Sequence, residues 1–136
     1  MNPIESLDLI KHCAQLVDEK KGSNIQILEV RGLFPLSDYF IIATGQSSKQ
    51  LRSTAETLMG FLKENRVTKI GIEGNNEGKW LLLDYGYLII HLFLEEARQF
   101  YDLELLWGDA PKISWEPFSA PDEESSVASS GSAEAK

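Results

Sequence analysis

One cysteine, Cys13, and two histidines, His12 and His91, are all that the 136 residues offer of the usual soft metal ligands. A single cysteine excludes an internal disulfide framework and a cysteine-rich metal site. Its ordinary role is that of a small buried group on a helix face. The two histidines fall in different elements, and neither has the convergent partners that a metal or nucleophilic site needs. His12 reads as a solvated helix residue, and His91, between Ile90 and Leu92, as a hydrogen-bonded core imidazole. Long apolar runs are also missing. Tyr87–Leu94, interrupted by His91, is far below the ~20 residues that cross a bilayer. The start, Met1-Asn2-Pro3-Ile4-Glu5, has no basic region leading into an apolar segment, so neither a secretory signal nor an Arg-rich transit peptide is expected, and a cytoplasmic protein is.

Positive charge is scarce as well. Lys and Arg number 13 against 21 Asp and Glu, a formal net charge of −8. Residues 1–112 carry 12 and 16 of these, and residues 113–136 carry one and five, so each part has a net charge of −4. Nucleic-acid binding by the chain alone calls for a clustered basic face. Neither Lys49 with Arg52 nor Lys20-Lys21 makes a patch of that kind. An acidic domain suits a basic protein partner.

What is present is enough for one domain with a real core. Asn2 can cap a first helix with Pro3 in its first turn; Leu7, Ile10, Ala14 and Val17 form its apolar stripe, and Gly22 stops it. Asn24–Val30 reads as a strand whose alternation slips once, between Ile27 and Leu28. Tyr39–Thr44 reads as a buried strand ended by Gly45. Ser47-Ser48-Lys49-Gln50 has the capping-box pattern, which predicts the Ser47 hydroxyl on the Gln50 amide and the Gln50 side chain back on the Ser47 amide. Leu51, Ala55, Leu58, Met59 and Leu62 then mark a helix face ending near Asn65. A short strand over Lys69–Glu73, a turn at Gly74–Gly78, strands at Trp80–Tyr85 and Tyr87–Phe93, and a last helix from Glu95 to Trp107 complete the order αββαβββα. The expected fold class is α/β (α+β), a single mixed sheet with flanking helices. From Ser119 to Lys136 there are six Ser and four Ala with an acidic cluster, too little apolar area to offset the entropy of ordering. The expected division is a domain over 1–112 and a disordered, dispensable tail over 113–136, with Trp115 and Phe118 the residues that can dock back.

The one enzymatic signal is Thr44-Gly45-Gln46-Ser47-Ser48, between a strand and a helix. Glycine and serine at a helix N-terminus can hold a phosphate, and nucleotidyltransferases use such a loop. They also need paired carboxylates for divalent metals, and no Asp-x-Asp or Asp-x-Glu pair follows on a strand. A plain helix cap is the simpler reading, and a nucleotide-binding or nucleotidyl-transferring enzyme using Gly45–Ser48 is the alternative. The last helix and Trp80 pose a different question, because aromatics grouped with Arg are typical interface anchors.

Six ordered blocks carry a family resemblance: Leu36-Ser37-Asp38-Tyr39-Phe40; Thr44-Gly45-Gln46-Ser47-Ser48; Gly71-Ile-Glu73-Gly74; Trp80-x-x-x-Asp84-x-Gly86; Ile90-His91; and Glu95-x-x-Arg98-x-x-Tyr101-x-Leu103-Glu104-x-Leu106-Trp107. Over residues 4 to about 110 the chain resembles the ribosomal silencing factor (Iojap) family. The resemblance implies a nucleotidyltransferase-like fold without the catalytic carboxylates, no enzymatic activity, and no cofactor or metal. It implies binding to ribosomal protein fourteen on the intersubunit face of the large ribosomal subunit, which blocks joining of the small subunit and damps translation. The implied partner surface is Glu73, Trp80, Asp84, Glu95, Arg98 and Tyr101, on a monomer or weak homodimer with no membrane and no sequence-specific nucleic-acid contact.

Overall fold

A computed structural model describes residues 6–74, 78–101 and 108–116. Its order is α1 (Ser6–Glu19), β1 (Ser23–Glu29), β2 (Tyr39–Gly45), α2 (Ser48–Glu64), β3 (Gly71–Gly74), β4 (Trp80–Asp84), β5 (Leu88–Leu94), α3 (Glu95–Tyr101) and β6 (Lys112–Ile113). The six strands form one mixed sheet in the order β3-β4-β5-β2-β1-β6. β2 and β5 pair in parallel at its centre, and every other pair is antiparallel. The expected mixed sheet with flanking helices is therefore the fold. The first-helix cap at Asn2-Pro3 and the last-helix segment 102–107 lie outside the described residues.

Both sheet faces are covered, so the central strands are apolar on both sides. On one face, here the helix face, Leu9, Ile10, Cys13, Ala14 and Val17 of α1 and Leu51, Ala55, Leu58 and Leu62 of α2 pack on Ile27, Ile41, Leu83 and Ile90. On the opposite face Leu28, Phe40, Ile42, Ile89 and Phe93 meet Ala97 of α3 and Ala110, with Phe34, Trp80 and Leu82 packed against them. This explains the apparent slip in β1. Ile27 and Leu28 are consecutive and both buried because each serves a different core. The real irregularity lies earlier, a register shift between Ser23 and Gln26 with Asn24 at φ 48.

Ser47 caps α2 as expected: it is extended, and its Oγ accepts the Gln50 N–H at 3.1 Å. The other half of the capping box is not made. Gln50 Oε1 accepts the Gln46 N–H, and Gln50 Nε2 donates to the Lys20 carbonyl at 2.8 Å. Gln50 thereby ties the start of α2 to the end of α1. A Cβ at Gly45 would stand 2.5 Å from Leu51 Cδ2, so any larger residue there has to displace the buried Leu51 side chain.

The fold continues past Lys112. β6 pairs with β1 at Ile27 and Leu28, and the Glu29 N–H donates to the Pro111 carbonyl at 2.8 Å. Ile113 and the half-buried Trp115 pack on the helix-face core. Trp115 Nε1 donates to the Ile25 carbonyl, and Gln15 Nε2 to the Trp115 carbonyl, both at 3.1 Å. The expected boundary at Lys112 falls inside β6, and Trp115 docks back on the domain: two apolar side chains and an indole hydrogen bond close the β1 edge. Truncation after Lys112 is expected to cost about 3 kcal/mol, since burying each such side chain contributes roughly 1.5–3 kcal/mol. Truncation after Phe118 is expected to leave the melting temperature in place. Thermal unfolding of the two truncated chains checks this, and equal melting temperatures would sink it. Residues 117–136 lie outside the described residues.

Candidate functional site

The backbone register gathers three of the six expected partner-binding residues on one face. Residues directly opposite each other in a sheet project to the same side. Glu73 lies opposite Leu82, Leu82 opposite His91, and His91 opposite Ile42. In the flanking rows Trp80 faces Phe93, and Asp84 faces Ile89. Trp80, Leu82 and Phe93 belong to the core of the face opposite α1 and α2. Glu73, Trp80 and Asp84 are thus placed on that same face, at the β3–β4 side of the sheet. Trp80 and Asp84 are four residues apart along β4, roughly 13 Å.

Their surroundings differ. Glu73 is exposed on β3, the edge strand. Trp80 is half-buried, its ring nearly parallel to that of Phe93, with centroids 6.3 Å apart. It combines a packed body with an accessible part. Asp84 is half-buried and closes the β4–β5 turn: its Oδ1 accepts the Gly86 N–H at 2.9 Å, while Tyr85 N–H donates to the Leu88 carbonyl at 2.9 Å. Gly86 takes φ +84, a conformation that glycine accommodates without strain. Glu95 and Glu96 open α3 and are exposed; Glu96 pairs with Lys79 at 2.9 Å, a surface contact of small energetic weight.

Arg98 is elsewhere. It is 4% exposed, and its Nη1 donates to the Asn24 carbonyl at 2.6 Å and to Thr44 Oγ1 at 2.9 Å. Its expected role as a surface fork for a partner is corrected: it clamps the β1 irregularity to the end of β2. The side chain of Tyr101 lies outside the described residues.

His91 shows what the apolar face costs a titratable group. It is 8% exposed, edge-on to Phe40 with centroids 4.9 Å apart and stacked at 6.1 Å on Phe93. Among the described residues neither ring nitrogen has a hydrogen-bond partner, so the hydrogen-bonded imidazole read from the sequence is corrected to an aromatic-packed one. Burial lowers its pKa from 6.5 to about 4. The neutral ring is favoured in the fold, so this contribution to stability is complete above pH 6.5 and is lost as pH falls toward 4. The loss is about 3 kcal/mol over that interval. His91→Phe is expected to remove this component, flattening the melting temperature between pH 7 and pH 4 relative to the unaltered chain. Parallel pH profiles of the two proteins would contradict it.

One amide of the Gly45–Ser48 loop and two in the first turn of α2 are bonded internally. Gln46 N–H goes to the Gln50 side chain, Gln50 N–H to Ser47 Oγ, and Leu51 N–H to the Ser47 carbonyl. That is the bonding of a capped helix. Cys13 is fully buried, and burial pushes its thiol up to about 12, so it acts as core filling rather than as a nucleophile. Among the described residues no three His, Cys, Asp or Glu side chains gather in a way that could hold a metal ion. No described helix is long and apolar enough to cross a membrane.

A protein-family model described as "Ribosomal silencing factor during starvation" matches residues 3–136. The chain belongs to the ribosomal silencing factor family. It is 36% identical over 103 residues to the ribosomal silencing factor RsfS of Bacillus subtilis, covering 76% of this chain and 87% of that protein. A Mus musculus protein named "Mitochondrial assembly of ribosomal large subunit protein 1" is 32% identical over 95 residues, 68% of this chain and 42% of its own length. The crystal structure of a Chromobacterium violaceum protein superposes with a TM-score of 0.73 at 33% identity, covering 86% of this chain and 97% of that one. Ribosomal silencing factors are regulatory rather than catalytic proteins, so the chain is a ribosome-associated regulator of translation.

Proposed function

We propose that this protein represses translation by binding ribosomal protein fourteen on the large ribosomal subunit and blocking attachment of the small subunit. The observation that carries the reading is the shared face of Glu73, Trp80 and Asp84 in a chain of the silencing-factor family. That face offers a half-buried indole beside carboxylates. A basic ribosomal protein is matched by such a surface through an aromatic anchor and charge complementarity. Glu95, at the start of α3, adds to its negative charge. Arg98 supports the surface from inside. Repression is steric: occupying a bridge surface needs no bond to be made or broken, so no catalytic group, cofactor or metal enters.

The test is co-sedimentation of the purified chain with large subunits, followed by a subunit-joining assay with small subunits added last. Dose-dependent loss of joined ribosomes, relieved by excess free ribosomal protein fourteen, is the expected result. Unimpaired joining at saturating protein would overturn the reading. The competing reading is a nucleotide enzyme at Gly45–Ser48, where Ser47 serves as the cap of α2. It predicts that nucleotide with magnesium raises the melting temperature, an effect that mass action requires of any ligand bound by the folded state.

A further inference from the structure

Among the described residues, the end of α2 borders a cavity whose charged lining residues are all cations. Lys63, Arg66 and Lys69 line a space of about 430 Å³ with Met59, Val67 and Tyr85, where α2 ends and the chain turns toward β3. All three cations are exposed, and no carboxylate is among the lining residues. The ion pairs Arg31–Asp38 and Lys79–Glu96 involve none of them. Lys69 Nζ rests 3.6 Å from Met59 Sδ, a weak acceptor that leaves the ammonium available to a better one.

Arg66 stands there against the preference of its backbone. Asn65 caps α2, and the next residue closes a Schellman turn: Arg66 N–H donates to the Lys63 carbonyl at 3.0 Å and Val67 N–H to the Leu62 carbonyl at 2.9 Å. Arg66 has φ +64, the left-handed conformation for which glycine is the ordinary occupant of this position. The turn thus carries an arginine rather than a glycine, between two lysines at one cavity.

We infer that the Lys63–Arg66–Lys69 cavity binds the phosphodiester backbone of RNA, making a second contact with the large subunit in addition to the one proposed above. The inference rests on that reading for its setting, because a chain seated on the large subunit lies next to ribosomal RNA. Tyr85, in the cavity wall, directly follows Asp84 but belongs to the helix-face core, so the basic cavity lies across the β4–β5 turn from the proposed protein contact, on the other face of the sheet. The flexible exposed cations suit a backbone passing outside the protein rather than a small anion enclosed within it. Such contacts position and carry no sequence information.

The experiment measures binding to purified large subunits, and separately to a fluorescent RNA hairpin at low ionic strength, as salt is varied. Each phosphate contact adds nearly one to the slope of log affinity against log salt. Lys63→Glu with Lys69→Glu is expected to lower the slope on large subunits by about two and affinity for the hairpin by tenfold or more. Arg66→Gly removes charge while relaxing the backbone, so it is expected to raise the melting temperature by roughly 4 °C and still weaken both interactions. Lys21→Gly is the control, because Lys21 has the same conformation, φ 72, at the end of α1 and is not among the residues lining this cavity. It is expected to leave binding unchanged. Unchanged slopes in the charge-reversed chain, or equal losses in Lys21→Gly and Arg66→Gly, would overturn the inference. Hairpin binding that depends on these residues, without any binding to large subunits, would support the cavity and overturn the proposed function. Competition of the hairpin by inorganic phosphate at equal phosphate concentration would show a free-anion site and overturn the RNA assignment.

Discussion

Trp80→Ala weakens binding to large ribosomal subunits by roughly 2 kcal/mol or more, about thirtyfold, if the indole anchors the partner in the way aromatic hot spots do. Trp80 also stacks on Phe93, so the same substitution lowers fold stability, and affinity is measured well below the melting temperature of the variant. Asp84 separates the two roles more cleanly. Asp84→Asn retains an oxygen that can accept the Gly86 N–H, keeping the β4–β5 turn while removing the charge. It is expected to lose about tenfold in affinity at an unchanged melting temperature. Asp84→Lys removes the turn bond and reverses the charge, costing about 1 kcal/mol of stability and a larger loss of affinity. Folded variants, verified by circular dichroism, that still block subunit joining at the original concentration would show that this face is not the contact surface.

The parts of the molecule legible in the sequence are those written in local chemistry. Ser47 announces its helix because a hydroxyl before a helical stripe has one efficient use, and the structure makes that bond. The Asp84-Tyr85-Gly86 turn is legible for the same reason, as a side-chain acceptor next to a residue free to take positive φ. The sheet partners follow from long apolar strands that must be covered on both sides. Three features escaped because they depend on distant partners. β6 is two residues long, with Pro111 before it and a polar segment after it, and exists only because β1 offers an edge. Gln50 satisfies Gln46 and Lys20 instead of Ser47, a choice fixed by where α1 ends. The basic cavity is built from Lys63, Arg66 and Lys69, whose spacing of three marks nothing until the helix stops between the first two. Of the candidate site, Glu73, Trp80 and Asp84 were readable as neighbours through family resemblance, and the register supplies the physical reason they share a face.

Arg98→Ala is expected to destabilise the fold by about 3 kcal/mol, within the range for removing a buried charged group that holds several acceptors. The sequence presents Arg98 as a surface residue, since it lies three positions after Glu95 on a helix where an ion pair is the ordinary outcome. Its real setting is created by β1. The register shift near Asn24, with that residue at φ 48, places its carbonyl within 2.6 Å of Arg98 Nη1. The same nitrogen reaches Thr44 Oγ1, one residue before the Gly45 that leads into α2. One guanidinium thus ties α3, the start of β1 and the end of β2 together. Truncation to alanine leaves a buried hydroxyl without this donor and a void where the side chain lay, and a loss of roughly 10 °C in melting temperature follows for a domain of this size. Arg98→Lys keeps the charge but replaces a planar fork by a single ammonium, so it is expected to recover only part of the loss. Binding to large subunits, measured well below the melting point, is expected to change far less than stability in the lysine variant. An Arg98→Lys chain that melts like the unaltered one and yet no longer binds large subunits would assign Arg98 to the partner surface and overturn its placement as an internal clamp.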